Sequence, residues 1–132
     1  MNTIRIKTIF SAVLVMAALL VAMPTFAKDN AKIEFNEGVY DFGQISLKKG
    51  KVSHEFTFTN GGEKNLVITD ARADCGCTRP EYSEAPVAPG KTGTVKVTFA
   101  PAAKGHFSKK VTVTTNGSPR KARLLIKGEV VD

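Results

Sequence analysis

Strict alternation of apolar and polar residues in several runs most constrains this chain, because period two belongs to half-buried strands. In "VSHEFTF", Val52, His54, Phe56 and Phe58 fall on one face, and Ser53, Glu55 and Thr57 on the other. "TVKVTF" sets Val95, Val97 and Phe99 against Thr94, Lys96 and Thr98, and "KKVTVTT" sets Val111 and Val113 against Thr112 and Thr114. Turn residues separate the runs: "NEG" at 36–38, "KKG" at 48–50, "NGGEKN" at 60–65, "APG" at 88–90, "PAAKG" at 101–105 and "NGSP" at 116–119. The spacing predicts six or seven strands, at 32–35, 39–46, 51–59, 64–71, 92–99, 106–115 and 121–131. Two antiparallel sheets packed face to face satisfy this pattern. The lack of tryptophan and of widely separated cysteines excludes an antibody-type core, not the sandwich. Lys109 interrupts the alternation between Phe107 and Val113, and "LVI" at 66–68 and "LLI" at 124–126 are continuous. A bulge near Lys109 and two central strands would account for both.

The N-terminus reads differently. Arg5 and Lys7 precede an apolar run, Ile9 to Met23, which closes with Pro24 and "TFA". This is the pattern of a secretory signal peptide, residues 1–27, cleaved after Ala27. The run is shorter than the ~20 residues that span a bilayer, so no stable membrane span is expected after cleavage. The domain is then 28–132, periplasmic or secreted. At this length it forms one domain with a core of its own.

The net charge of +7 includes Arg5 and Lys7. The remaining cations, such as Lys48, Lys49 and Lys51, or Lys109 and Lys110, are spread over strands and turns, as on a solvated surface. No aromatic interleaving or nucleic-acid motif accompanies them, so no nucleic acid is expected as partner. "APGKTGT" lacks the first glycine of a phosphate-binding loop, since Ala85 stands there, and reads as a turn at Pro89-Gly90.

Both cysteines stand in "DCGCTRP", one residue apart. Three chemistries fit Cys75, Gly76 and Cys77. A disulfide would close a very small ring, a local pin that removes little chain entropy. Two thiolates could instead hold a soft ion such as Cu(I), with His54 as a possible third ligand; the paired spacing of a zinc site is absent. Redox chemistry by the thiol pair is the third, although thiol oxidoreductases use C-x-x-C at a helix start and Pro80 argues against a helix here. The preferred reading of His54 is a partly buried strand residue with a satisfied ring.

These residues resemble the DUF1573 family, exported bacterial proteins of unknown function. The likeness runs from about Ile33 to Val131. It rests on "DFG" at 41–43, H-x-F-x-F-x-N-x-G from His54 to Gly62, "CGCT" at 75–78, P-x-x-P-G from Pro86 to Gly90, and G-x-F-x-K from Gly105 to Lys109. The resemblance implies an immunoglobulin-like antiparallel β-sandwich of about seven strands, related to domains of abnormal-spindle, major sperm protein and Hydin proteins. It implies no known activity, and it places His54, Cys75, Gly76 and Cys77 in the family's signature.

With no convergent catalytic set in the sequence, the expected function is that of a non-enzymatic module binding an unidentified protein or cell-envelope component. The cysteine segment is then a structural pin and no cofactor is needed. The alternatives are Cu(I) or zinc handling, and thiol redox chemistry, at the same cysteines.

Overall fold

The computed structural model describes residues 30–132; the signal peptide expected at 1–27 lies outside the described residues. Eight strands follow in order: β1 (Ile33–Phe35), β2 (Val39–Ser46), β3 (Val52–Asn60), β4 (Ile68–Ala73), β5 (Thr78–Tyr82), β6 (Thr92–Phe99), β7 (Gly105–Thr115) and β8 (Lys121–Val131). They form two four-stranded sheets, β1-β3-β6-β5 and β2-β8-β7-β4. The predicted period-two faces meet between them. Phe56, Phe58, Val95, Val97 and Phe99 of the first sheet, with Val111, Val113, Leu124, Ile126 and Val130 of the second, are all at most 4 % exposed. Each such side chain contributes about 1.5–3 kcal/mol by leaving water, so the core is the main source of stability. The immunoglobulin-like sandwich expected from the resemblance is the fold observed.

Five details differ from the sequence reading. An eighth strand, β5, pairs with β6 through Thr78 opposite Phe99 and Pro80 opposite Val97. Pro80 hid it, yet β5 is an edge strand, where a missing N–H is tolerated. β4 begins at Ile68 rather than residue 64, because the preceding segment is held by loops: Leu66 exchanges both backbone hydrogen bonds with Val87. Of the two continuous runs, "LLI" does lie in a central strand, β8, whereas Ile68 opens the edge strand β4.

The second sheet is also not wholly antiparallel. β2 lies parallel to β8, with Val39 opposite Leu125 and Ser46 opposite Val131. Strand direction leaves no mark on side-chain alternation, which is the same either way.

Finally, β7 pairs with β8 without a register shift from Gly105 to Thr114, so there is no bulge at Lys109. The irregularities fall in β2, between Asp41 and Gln44, and in β4, between Ile68 and Asp70. In β2, Gly43 takes φ +69° and its N–H donates to Asp41 Oδ1 at 2.8 Å, which turns Ile45 rather than Gln44 inward.

Candidate functional site

β4 ends one edge of the second sheet and β5 ends the adjacent edge of the first. The chain crosses between them through Asp74, Cys75, Gly76 and Cys77, so the cysteine motif forms the corner of the sandwich. Both sheets hold this corner. Asp74 N–H donates to Lys110 C=O of β7 at 3.1 Å, and Ala100 N–H, just past β6, donates to Cys77 C=O at 2.8 Å. Thr78 N–H closes the turn on Cys75 C=O at 3.3 Å.

Within the turn the sulfurs of Cys75 and Cys77 are joined, with Cα atoms 5.4 Å apart, inside the usual range for a disulfide. Cys77 N–H points at Cys75 Sγ, 3.1 Å away. The Thr78 hydroxyl, on a residue only 5 % exposed, lies 4.0 Å from Cys75 Sγ and 3.7 Å from Cys77 Sγ. Gly76 is exposed, and a Cβ on it would meet nothing within 4 Å. The outer side of the turn is therefore open, and the glycine is not demanded by packing.

His54 is not brought to the cysteines. It pairs with Val97, whose other neighbour is Pro80, so two strand spacings and three residues separate it from Cys77, roughly 14 Å. Its Nε2 donates to Glu37 Oε1 at 2.6 Å, and its ring stacks on Tyr40 and meets Phe56 edge-on. The partly buried strand residue is thus the role the structure gives it, and the third-ligand role has no geometry behind it. Among the described residues no group of three His, Cys, Asp or Glu side chains could hold a metal ion. Joined to each other, the two sulfurs also present no thiolate to Cu(I) or zinc.

A neighbour of the motif went unread in the sequence. Ala73 lies opposite Val111, and the Asp74 bond to Lys110 continues that register up to the residue next to Lys109. Lys109 shares the inward face of β7 with Phe107 and Val111 and is half-buried. Cys77, Lys109, Phe99, Phe107 and Ala100 line a cleft of about 230 Å³ at this end of the sandwich, where the rings of Phe99 and Phe107 stack 4.1 Å apart. The interrupted alternation at Lys109 was the available signal: an inward lysine within a strand marks a place where its stem lies on apolar surface and its ammonium reaches toward water.

A family model for proteins of unknown function, DUF1573, matches residues 33–130. Among solved structures, a protein of unknown function from Porphyromonas gingivalis W83 is similar at TM-score 0.68 and 14% identity, over 80% of this chain and 49% of that one. This chain therefore spans about half the length of that protein. The ASH/PapD-like domain 7 of human CEP192 is similar at TM-score 0.61 and 14% identity, over 89% and 97% of the two chains. The Vibrio cholerae VesB protease matches at TM-score 0.58 and 16% identity over 79% of this chain but only 32% of its own. These likenesses share a fold and nothing finer. No curated protein matches the sequence. The match of the family model, running from the start of β1 to Val130 in β8 and including the cysteine corner, settles the relationship: the chain belongs to the DUF1573 family.

Proposed function

We propose that the chain is an exported, non-enzymatic binding module of the cell envelope, which takes an extended segment of a partner protein along the outer edge of β4. The observation that carries this reading is the contrast between the two edges that meet at the disulfide corner. β5 has Pro80 at its middle, which blunts it as a template. β4, with the sequence ITDARA, has no proline, ends its sheet, and turns the N–H and C=O of alternate residues away from β7. An added strand would satisfy those groups and gain affinity from backbone pairing, with side chains such as Thr69 and Arg72 setting specificity. The disulfide pins the end of that edge. The YadV chaperone has a similar sandwich, at TM-score 0.52 and 12% identity over 75% of this chain and 51% of its own, which supports a protein-binding use by analogy of fold. The apolar segment before Ala27 supports export.

Site-specific photo-crosslinking in the native cell tests this. A photoreactive residue at Thr69 or Arg72 is expected to give a discrete crosslinked protein, and one at Thr57 or Thr94, on the outer face of the other sheet, none. Equal labelling at both places, or no adduct at either, would sink the reading.

A further inference from the structure

The corner has a feature that a pin alone does not need: its two sulfurs stand in unlike surroundings. Cys77, and not Cys75, lines the cleft that Lys109 shares. Cys75 Sγ receives the Cys77 N–H at 3.1 Å, and the Thr78 hydroxyl lies within reach of both sulfurs. A hydrogen bond aimed at a sulfur stabilises its thiolate, and the sulfur better stabilised as thiolate is the better leaving group in exchange. Lys109 lines the same cleft as Cys77, and a lysine ammonium there attracts an approaching thiolate.

We propose that Cys75–Cys77 is a thiol–disulfide exchange site of fixed polarity, whose partner is a protein dithiol that enters the cleft beside Lys109 and attacks Cys77. The partner's thiolate forms a new S–S bond to Cys77 Sγ while the Cys75–Cys77 bond breaks. Both electrons of the broken bond leave with Cys75 Sγ, held by the Cys77 N–H and protonated from water. The partner's second thiolate then attacks its own sulfur in the mixed disulfide and releases Cys77 as a thiolate. The partner's dithiol ends as a disulfide, and this chain's pair takes up the two electrons. No other reactant is consumed.

The surroundings fit such a visitor. The open face above Gly76 leaves the turn clear, and the stacked Phe99 and Phe107 rings give the cleft an apolar lining for side chains next to the partner's cysteine. The inference goes beyond the binding reading and does not depend on β4.

The test uses the purified oxidised chain and 2-mercaptoethanol, whose thiolate has no charge other than the reacting one. Sub-stoichiometric reaction is quenched with an alkylating reagent and the adducts are located by peptide mass spectrometry. The mercaptoethanol adduct is expected on Cys77, with the alkyl group on Cys75. Lys109→Gln is expected to slow the reaction roughly three- to tenfold at low salt. It should not slow reduction by a neutral phosphine, which brings no negative charge. Lys104→Gln, which removes a cation from the same cleft that pairs with Asp132 at 2.9 Å, should leave both rates unchanged. An adduct on Cys75 or on both sulfurs, a disulfide that resists the thiol, or equal effects of Lys109→Gln on thiol and phosphine would each overturn the proposal. So would a Lys104→Gln effect as large as that of Lys109→Gln, since it would reflect net charge alone.

Discussion

His54 and Tyr40 lie face to face across the two sheets, ring centroids 3.6 Å apart and planes within 9° of parallel. The His54 side chain is 21% exposed and its free nitrogen is held by Glu37, so its ring packs and bonds at the opposite end of β3 from Asn60. His54→Ala is expected to cost about 1–2 kcal/mol, from the lost stacking and the lost edge contact with Phe56. Urea denaturation measures that cost. In the reduced protein the same substitution should leave any Cu(I) uptake unchanged in competition with a chromogenic chelator. Weaker uptake would restore His54 to a ligand set.

At the far end of β3, Asn60 is fully buried and its carboxamide uses both its oxygen and its nitrogen twice. Oδ1 accepts from Lys32 N–H at 3.2 Å and Gly62 N–H at 2.9 Å, while Nδ2 donates to Lys64 C=O at 2.7 Å and Val87 C=O at 2.8 Å. Asn60→Ala would remove the partner of four part-buried backbone groups and leave a hole at a fully buried position. The expected loss is about 3 kcal/mol or more, read from the urea midpoint. Asn60→Asp should be nearly as damaging, because a carboxylate cannot donate to the Lys64 and Val87 carbonyls. A loss below about 1 kcal/mol in both variants would show that these loops rearrange freely.

What the sequence revealed follows from which physical constraints leave a trace in side-chain order. The turn at Ala88 to Lys91 was readable because Pro89 and Gly90 stand where such a turn needs them: Gly90 has φ +80°, and Lys91 N–H reaches Ala88 C=O at 3.0 Å. The faces of β3, β6 and β7 were readable because a buried face forces period two. β5 was not, since Pro80 signals a loop unless the strand is known to be an edge, and edges are a property of the assembled sheet. For the same reason the parallel pairing of β2 with β8 was hidden. The cysteine pair was legible as a unit, but its neighbours Lys109, Phe99 and Phe107 arrive from β6 and β7, and only the register brings them together.

Two glycines with opposite surroundings give a direct check on packing. A Cβ on Gly93 would come within 2.6 Å of Cζ in the Phe58 ring, which is itself fixed in the core. A Cβ on Gly76 would meet no atom within 4 Å. Gly93→Ala is therefore expected to destabilise by about 1–3 kcal/mol, and Gly76→Ala to stay within about 0.5 kcal/mol of the parent. Thermal unfolding of the two variants side by side decides it. A large loss from Gly76→Ala would mean that the glycine's backbone freedom, rather than the open space beside it, matters at the corner.

The last expectation concerns how much the corner bond stabilises the fold. A disulfide constrains the unfolded chain by an amount that grows with the logarithm of the loop that it closes, and here only Gly76 lies between the two cysteines. The chain-entropy relation gives about 1.5 kcal/mol for so short a loop. The core of Phe56, Phe58, Val95, Val97, Val111, Val113, Leu124 and Ile126 lies between the sheets and does not depend on that bond. The double variant Cys75→Ala, Cys77→Ala is therefore expected to remain folded, with the same strand content by circular dichroism and a urea-derived stability lower by about 1–2 kcal/mol. Unfolding of the double variant at room temperature, or a loss above about 4 kcal/mol, would show that the corner organises both sheets. A change near zero would mean that the Asp74, Thr78 and Ala100 backbone bonds already hold the turn, leaving the sulfur bond free to open and close in exchange without cost to the fold.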